Sequence, residues 1–326
     1  MIKKIKIQDH EQWLAERRNS IGGSEIGAIL GLNNYTSPYA VWARKTGLIP
    51  EADQNEAMRQ GTDLEQYVAD RFVERSGLKV QKCNYLLRNP DYPHLHATID
   101  RKIVGRNAGL ECKTASAYNR ENFTDDSFPL SYYAQCVAYM AVCGYAEYFL
   151  AALVLGSGPF KIYHMTTQAD AEKPDFADYS MYISPAEFDG IRDAAIDFWQ
   201  YVEAGTAPPV DGTAATTSAI KTIYADADES LTEVDLFGLD AHFDMINDIK
   251  SQIDQLKQEQ TAEENAIKAA LGDAIGGKTE RFFATWKPQT RRTFDVKAFN
   301  KAHPEMDLSD YYKQSTTRVF KFKEVK

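Results

Sequence analysis

Four short stretches carry residue types that cleave phosphodiesters: Glu65, Asp100, the triplet Glu111-Cys112-Lys113, and Gln135. Carboxylates are hard oxygen donors for cations such as Mg²⁺, and an ammonium beside them can orient a water or steady growing negative charge. Around Asp100 the run Leu95-His96-Ala97-Thr98-Ile99-Asp100 alternates apolar and polar, as a half-buried strand does. Residues 108–114 alternate as well, with Leu110 and Cys112 on one face and Glu111 and Lys113 on the other. Period two therefore aims Glu111 and Lys113 at one side. Gly105, Asn107 and Gly109 mark a tight hairpin between the two strands, which is expected to bring Asp100 alongside.

Glu65 is placed by a helix. Segment 55–77 has helical periodicity and Gly77 stands where the helix should stop. Met58, Gly61, Glu65, Ala69 and Phe72 form one line at spacings of three and four. The other members are apolar or tiny, so Glu65 is expected to point where a helix buries carbon. A lone buried carboxylate is costly unless it is paired or holds a metal. Each signal also has an ordinary reading: Glu-x-Lys facing solvent on an edge strand, a turn aspartate, a helix glutamate paired with an arginine. Order, spacing and shared facing favour the joint site over the separate accidents.

A second constellation lies near the N-terminus. Residues 13–18 read as the end of a short amphipathic helix, and Ile21-Gly22-Gly23-Ser24-Glu25 opens another, with Ser24 at the N-cap and Ile26, Ile29 and Leu30 following. Glycines ahead of a helix let a ligand approach the backbone, and free N–H groups there attract anions. Arg17, one turn upstream, could add a bidentate cation. The alternative is an ordinary cap with a surface arginine.

Trp13-x-x-x-Arg17, Ile21-Gly-Gly-Ser24, Arg59-x-Gly61-x-x-x-Glu65, Thr98-x-Asp100, Glu111-x-Lys113 and Tyr132-x-x-Gln135 together resemble the YqaJ-type phage recombination nucleases. These are relatives of the phage lambda exonuclease within the PD-(D/E)xK superfamily, and the resemblance covers about residues 1–205. It implies a restriction-endonuclease-like α/β core, a mixed central sheet flanked by helices. It also implies Mg²⁺-dependent 5′-to-3′ exonuclease activity on double-stranded DNA through two metal ions, with Mn²⁺ as a substitute, leaving 3′ overhangs for recombination. Carried over by position, the metal ligands are Asp100 and Glu111, with Glu65 completing the site directly or through water and the Cys112 backbone carbonyl as a further donor. Lys113 would orient or activate the attacking water, and Gln135 would lie near the scissile phosphate. Arg17, Ser24 and Thr98 would grip the terminal 5′-phosphate, with Tyr132 packing beside the site. The implied partners are double-stranded DNA ends, further copies of the chain in a trimeric ring, and a single-strand annealing protein; the implied origin is a phage or prophage. Ile99, not proline, precedes Asp100.

Composition agrees with a globular enzyme. The 326 residues are 44% hydrophobic and 12% aromatic, enough for a sizeable core and a second unit. A formal charge of −10 argues against a protein that coats nucleic acid electrostatically. Cysteines 83, 112, 136 and 143 lack a Cys-x-x-Cys pair, so an iron–sulfur cluster is not expected and the thiols read as reduced. The basic start has no apolar core of a signal peptide, and no stretch reaches transmembrane length, so the bacterial cytoplasm is the expected compartment. His94-x-His96 could be taken for a metal pair, but surface or core histidines are favoured.

Beyond these motifs, Ser37-Pro38 opens a helix that Gly47 ends, 131–143 is a helix, 148–155 and 160–165 are strands, and 184–203 is a helix. The nuclease domain is expected over 1–205. A linker over 206–230 follows, rich in Thr, Ala, Pro and Asp, with one short helix near 218–224. Residues 231–277 form a coiled-coil-like segment with Phe243, Ile246, Ile249, Ile253 and Leu256 as its seam, open either to oligomerisation or to a helical hairpin. Residues 278–326 read as a small basic α+β module with strands at 280–286 and 316–323 and a helix at 295–302. It would contact duplex DNA or a partner, or simply be a packed module. Two alternatives to the exonuclease stand: a structure-specific or restriction-like endonuclease on the same fold, and a non-catalytic DNA-binding or adaptor protein.

Overall fold

The computed structural model describes residues 1–51, 54–156, 158–226, 230–231, 233–313 and 320–322. The chain forms two compact units, Met1–Ala225 and Asp226–Lys326. The first contains, in order, β1 (Lys3–Lys6), α1 (His10–Arg18), β2 (Ile21–Gly22), α2 (Gly23–Ile29), α3 (Pro38–Lys45), α4 (Glu56–Ser76), β3 (Val80–Lys82), β4 (Tyr85–Arg88), β5 (Leu95–His96), β6 (Arg101–Ile103), β7 (Ala108–Ala115), α5 (Leu130–Cys143), β8 (Glu147–Val154), β9 (Phe160–Thr166), β10 (Tyr179–Tyr182), α6 (Pro185–Ala204) and α7 (Ala214–Ile223).

A six-stranded mixed sheet, ordered β10-β9-β8-β7-β6-β3, occupies the centre. β7 and β8 run parallel, β6 and β7 antiparallel, and Gly105 closes the β6–β7 hairpin with φ of 78°. Period two divides each strand between two cores. Leu110, Phe149, Ala151 and Ile162 turn toward α4 and meet Val68 and Phe72, all fully buried. Leu150, Ala152, Tyr148 and Tyr163 turn the other way, into a larger core with Cys136, Val137 and Met140 of α5 and residues of α2, α3 and α6. The expected mixed sheet flanked by helices is thus present.

Local signals fix most boundaries. Asn55 caps α4 through Met58 N, and Gly77 ends it in the left-handed region. Ser37 accepts from Ala40 N ahead of Pro38, and Ser184 opens α6, its N–H held by Glu187. The apolar line on α4 is buried only from Val68 onward, and Met58 is half exposed. The strand expected at 95–100 is broken: Leu95–His96 pairs in parallel with Ile21–Gly22, Ala97 bridges Leu87, and Asp100 precedes β6 outside any strand.

The stretch expected as a linker, 206–230, contains α7, longer than the short helix foreseen. Ala219 is buried in the larger core and the Thr216 hydroxyl donates to Ser37 Oγ at 2.7 Å. The compact first unit therefore extends to Ala225. In the second unit α8 (Asp240–Leu271) is one continuous helix of 32 residues with no buried side chain, not a hairpin. β11 (Gly276–Lys278) and β12 (Phe283–Thr285) pair antiparallel, and α9 (Val296–Ala302) follows Asp295 as N-cap. The strand expected over 316–323 lies largely outside the described residues.

Phe72 packs obliquely on Phe149 at 5.5 Å and meets Phe176 edge-on at 6.1 Å. Phe72→Ala is expected to lower unfolding free energy by about 3–5 kcal/mol, read from the midpoint of urea denaturation; a loss under about 1 kcal/mol would contradict the burial of α4 against the sheet.

Candidate active site

β7 sends Glu111 and Lys113 to the face covered by α5, and the two side chains meet there. The Lys113 ammonium lies 2.7 Å from Glu111 Oε1 and donates to Gln135 Oε1 at 3.0 Å. Gln135 Nε2 donates to Glu111 Oε1 at 2.7 Å and to the Tyr139 hydroxyl at 3.1 Å. One helix glutamine thus fixes both members of the Glu-x-Lys pair. The ammonium also sits over the Tyr132 ring, 4.8 Å from its centroid. Asp100 joins from the start of β6, its Oδ2 accepting the Cys112 backbone N–H at 2.8 Å.

Electrostatics reinforce this grouping. Burial and the charge of Glu111 push the Asp100 carboxyl well above the ordinary carboxylate range, against the pull of Lys113 and the Cys112 N–H. Burial opposes the charge on Lys113, but Glu111 and Asp100 overcome it and hold the ammonium above the usual lysine range. Glu111 Oε2 is buried without a hydrogen-bond partner among the described residues. Two mutually repelling carboxylates, one with an orphaned oxygen, form a donor set that suits a hard divalent cation.

Glu65 is engaged by cations. Its carboxylate pairs with the guanidinium of Arg101 and lies 3.7 Å from the Lys82 ammonium. Arg101 also donates to Gln66 and to the Asp100 carbonyl. Glu65 and Arg101 belong to the α4 side of the sheet, whereas Glu111 and Lys113 face α5. Among the described residues no three acidic, histidine or cysteine side chains converge as a preformed metal cage. Of the three expected carboxylates Asp100 and Glu111 share the α5 side, while Glu65 is held by Arg101 of β6 and still lies near enough to push the Asp100 carboxyl up.

The N-terminal constellation is built differently from its expectation. Gly22, not Ser24, is the N-cap of α2, and Glu25 caps it by accepting the Gly22 N–H at 2.7 Å. Ser24 is exposed. The Arg17 guanidinium stacks over Trp13 at 4.7 Å and donates to Glu25 Oε1 at 3.1 Å. The same carboxylate takes the ammonium of Lys45 at 2.7 and 2.9 Å. Desolvation would raise the Glu25 carboxyl, yet Lys45 and Arg17 bring it down to about 2. His96 is buried with Nδ1 against Ser20 Oγ at 2.9 Å, and burial keeps the ring neutral, lowered to about 3. His94 stacks on Trp199 at 5.1 Å, so these two histidines are not a metal pair.

Tyr139 joins the two groups. Its ring lies over Gly23, where a Cβ would approach to 2.3 Å. Its hydroxyl meets Gln135 and shares a hydrogen bond with Thr98. Tyr139, Glu25 and Lys45 are not marked as site residues by the sequence alone. Helical spacing places Tyr139 on the α5 face of Tyr132 and Gln135, and that is the local signal for it. Glu25 three residues after Gly22 was the available clue to a cap, and nothing local marked Lys45.

The sequence profile of the YqaJ-like viral recombinase domain matches residues 12–146, which hold Arg17, Glu65, Asp100, Glu111, Lys113 and Gln135. A Bacillus subtilis (strain 168) protein, YqaJ, is 35% identical across 100% of this chain and 98% of its own length. The chain belongs to the YqaJ-like viral recombinase family. Among solved structures it is also similar to an alkaline exonuclease from Laribacter hongkongensis, with TM-score 0.46 and 17% identity over 60% of this chain and 93% of that one. A phage-related exonuclease from Haemophilus somnus 129PT is similar at TM-score 0.40 and 12% identity, over 57% of this chain and 96% of that one. Among the described residues no helix is long and apolar enough to cross a membrane.

The depressed Glu25 carboxyl has a consequence for acid stability. Folding lowers its pKa from 4.5 to about 2, so the native state binds fewer protons than the unfolded chain in that window. The contribution is complete above pH 4.5 and is lost as pH falls toward 2, on the order of 3 kcal/mol in all. Glu25→Gln is expected to flatten the dependence of urea stability on pH below 4.5; a wild-type slope in that variant would refute the assignment.

Proposed function

We propose that this YqaJ-like recombinase chain is a Mg²⁺-dependent deoxyribonuclease that digests double-stranded DNA from 5′ ends, leaving 3′ single strands. The observation that carries the reading is the Lys113 ammonium, held between Glu111 and Gln135 with Asp100 alongside. Asp100, Glu111 and the Cys112 backbone carbonyl would hold the metal, with Glu65 joining on release from Arg101. Two Mg²⁺ ions, or Mn²⁺ in their place, would supply a water of lowered pKa and charge neutralisation at the leaving oxygen.

The chain's own groups account for the remainder. Lys113, beside Glu111 and Gln135, would orient or activate the attacking water, or donate a hydrogen bond to a non-bridging phosphate oxygen. Gln135 keeps that ammonium and Glu111 in register and faces the scissile phosphate from α5. The water oxygen bonds to phosphorus as the bond from phosphorus to the 3′-oxygen breaks, and the shortened strand retains a 5′-phosphate. Arg17 and Thr98, with exposed Ser24, are the groups proposed to grip that phosphate, so each cut regenerates the end that is recognised. Tyr132 packs against the ammonium at the mouth of the site. The same reading expects a homo-oligomer, a trimeric ring in the manner of the resemblance, and transfer of the 3′ strand to a single-strand annealing protein.

End-labelled linear duplex incubated with and without Mg²⁺, beside a covalently closed circle, tests this function. Digestion is expected of the linear form alone and to cease with EDTA; nicking of the circle would make the enzyme an endonuclease, and no cleavage of either would leave a non-catalytic binding protein. Lys113→Ala and Asp100→Ala should each reduce digestion by ~100-fold or more while the thermal transition remains cooperative. Near-normal rates in either would remove these residues from the mechanism.

A further inference from the structure

Lys45 ends α3 with a side chain that has no solvent exposure. Its ammonium makes three hydrogen bonds: to the Arg17 carbonyl at 2.7 Å, and to Glu25 Oε1 and Oε2 at 2.9 and 2.7 Å. One amine thereby joins the end of α1, the start of α2 and the end of α3. Glu25 in turn holds the Gly22 N–H and the Arg17 guanidinium. Arg17 Nε remains buried with no partner among the described residues.

Buried ion pairs are poor devices for stability, because desolvation offsets the attraction and apolar replacements often do as well. Their retained value is geometric. The trio holds two cations and one carboxylate, so it carries a surplus positive charge with an unengaged donor on Arg17, a combination that an incoming phosphate would complement. Remove the ammonium, and the Glu25 carboxylate is left to Arg17 alone, neutralising it and competing with the phosphate.

We propose that Lys45 is a positioning residue for DNA-end recognition: it occupies the Glu25 carboxylate so that the Arg17 guanidinium is aimed and left charged for a 5′-phosphate. This rests on the end-gripping role given above to Arg17. Lys45 touches no substrate; it acts through Glu25.

The test compares initial rates of the full-length protein with Mg²⁺ on linear duplex bearing 5′-phosphate or 5′-hydroxyl ends, taking their ratio for the wild type, Arg17→Ala, Lys45→Met and the double variant Glu25→Gln/Lys45→Met. Lys45→Met should cut the preference for phosphate by roughly tenfold or more, the worth of one charge-assisted hydrogen bond. The double variant should recover part of it, since a neutral glutamine no longer competes for Arg17. A folded Lys45→Met with the wild-type ratio, or a double variant no better than the single, overturns the positioning role while leaving the pocket intact. A wild type without preference, or a preference that survives Arg17→Ala, removes the end-gripping reading and this inference with it. If neither Lys45 variant gives a cooperative thermal transition, Lys45 serves stability and the proposal falls.

Discussion

One residue separates Glu111 from Lys113, and the pleat of β7 does the rest. In a strand, side chains two apart share a face, so the carboxylate and ammonium must emerge together, above the sheet and under α5. β7 is paired on both sides, by the β6 hairpin and by parallel β8, which leaves its backbone no latitude to twist them apart. The hairpin gives Asp100, whose carboxylate is pinned to the Cys112 N–H. α5 gives Gln135, whose amide reads both neighbours at once. Any shift of register by one residue would exchange Glu111 and Lys113 for Leu110 and Cys112 and place the charges in the apolar core beneath α4.

Two buried charge clusters of opposite balance result. Around Asp100 and Glu111 the negative groups outnumber the single ammonium, and burial makes their repulsion felt. Around Glu25 the cations Arg17 and Lys45 outnumber the carboxylate. A cation suits the first and an anion the second, and a chain of −10 overall achieves this by segregating a few charges. The bridge between them, Thr98, Tyr139 and Gln135, is uncharged, so the two fields are kept apart while the geometry is shared.

Much of this was legible in the sequence wherever the signal was local. Alternation on β7, the glycine turn before it, the caps at Asn55, Ser37 and Ser184, and the order of the motifs all depend on near neighbours. What escaped depends on long-range packing. Lys45 looks like any basic residue in a helix's last turn until α2 is placed against it. A Gly-Gly-Ser-Glu string favours a cap at Ser24, but the Glu25 carboxylate reaches back to Gly22 and makes that residue the cap instead. Residues 95–100 alternate like one strand, yet the first two are claimed by β2. Thr- and Ala-rich composition suggested a linker, whereas Thr216 and Ala219 are what allow α7 to lie close against α3. Glu65 was read as buried from the apolar line on α4; the guanidinium that receives it comes from β6, and no spacing rule within the helix could reveal it.

The ring of Tyr139 fills the volume that a methyl group on residue 23 would need. The two positions are therefore free to drift in one order only. A lineage that first trades the tyrosine for a smaller residue opens room at the glycine, whereas the reverse path passes through a chain that cannot close its core. Among kin, side chains at 23 should be confined to sequences that have already given up an aromatic at 139, and their ancestors should record the loss of the ring before the gain of the carbon.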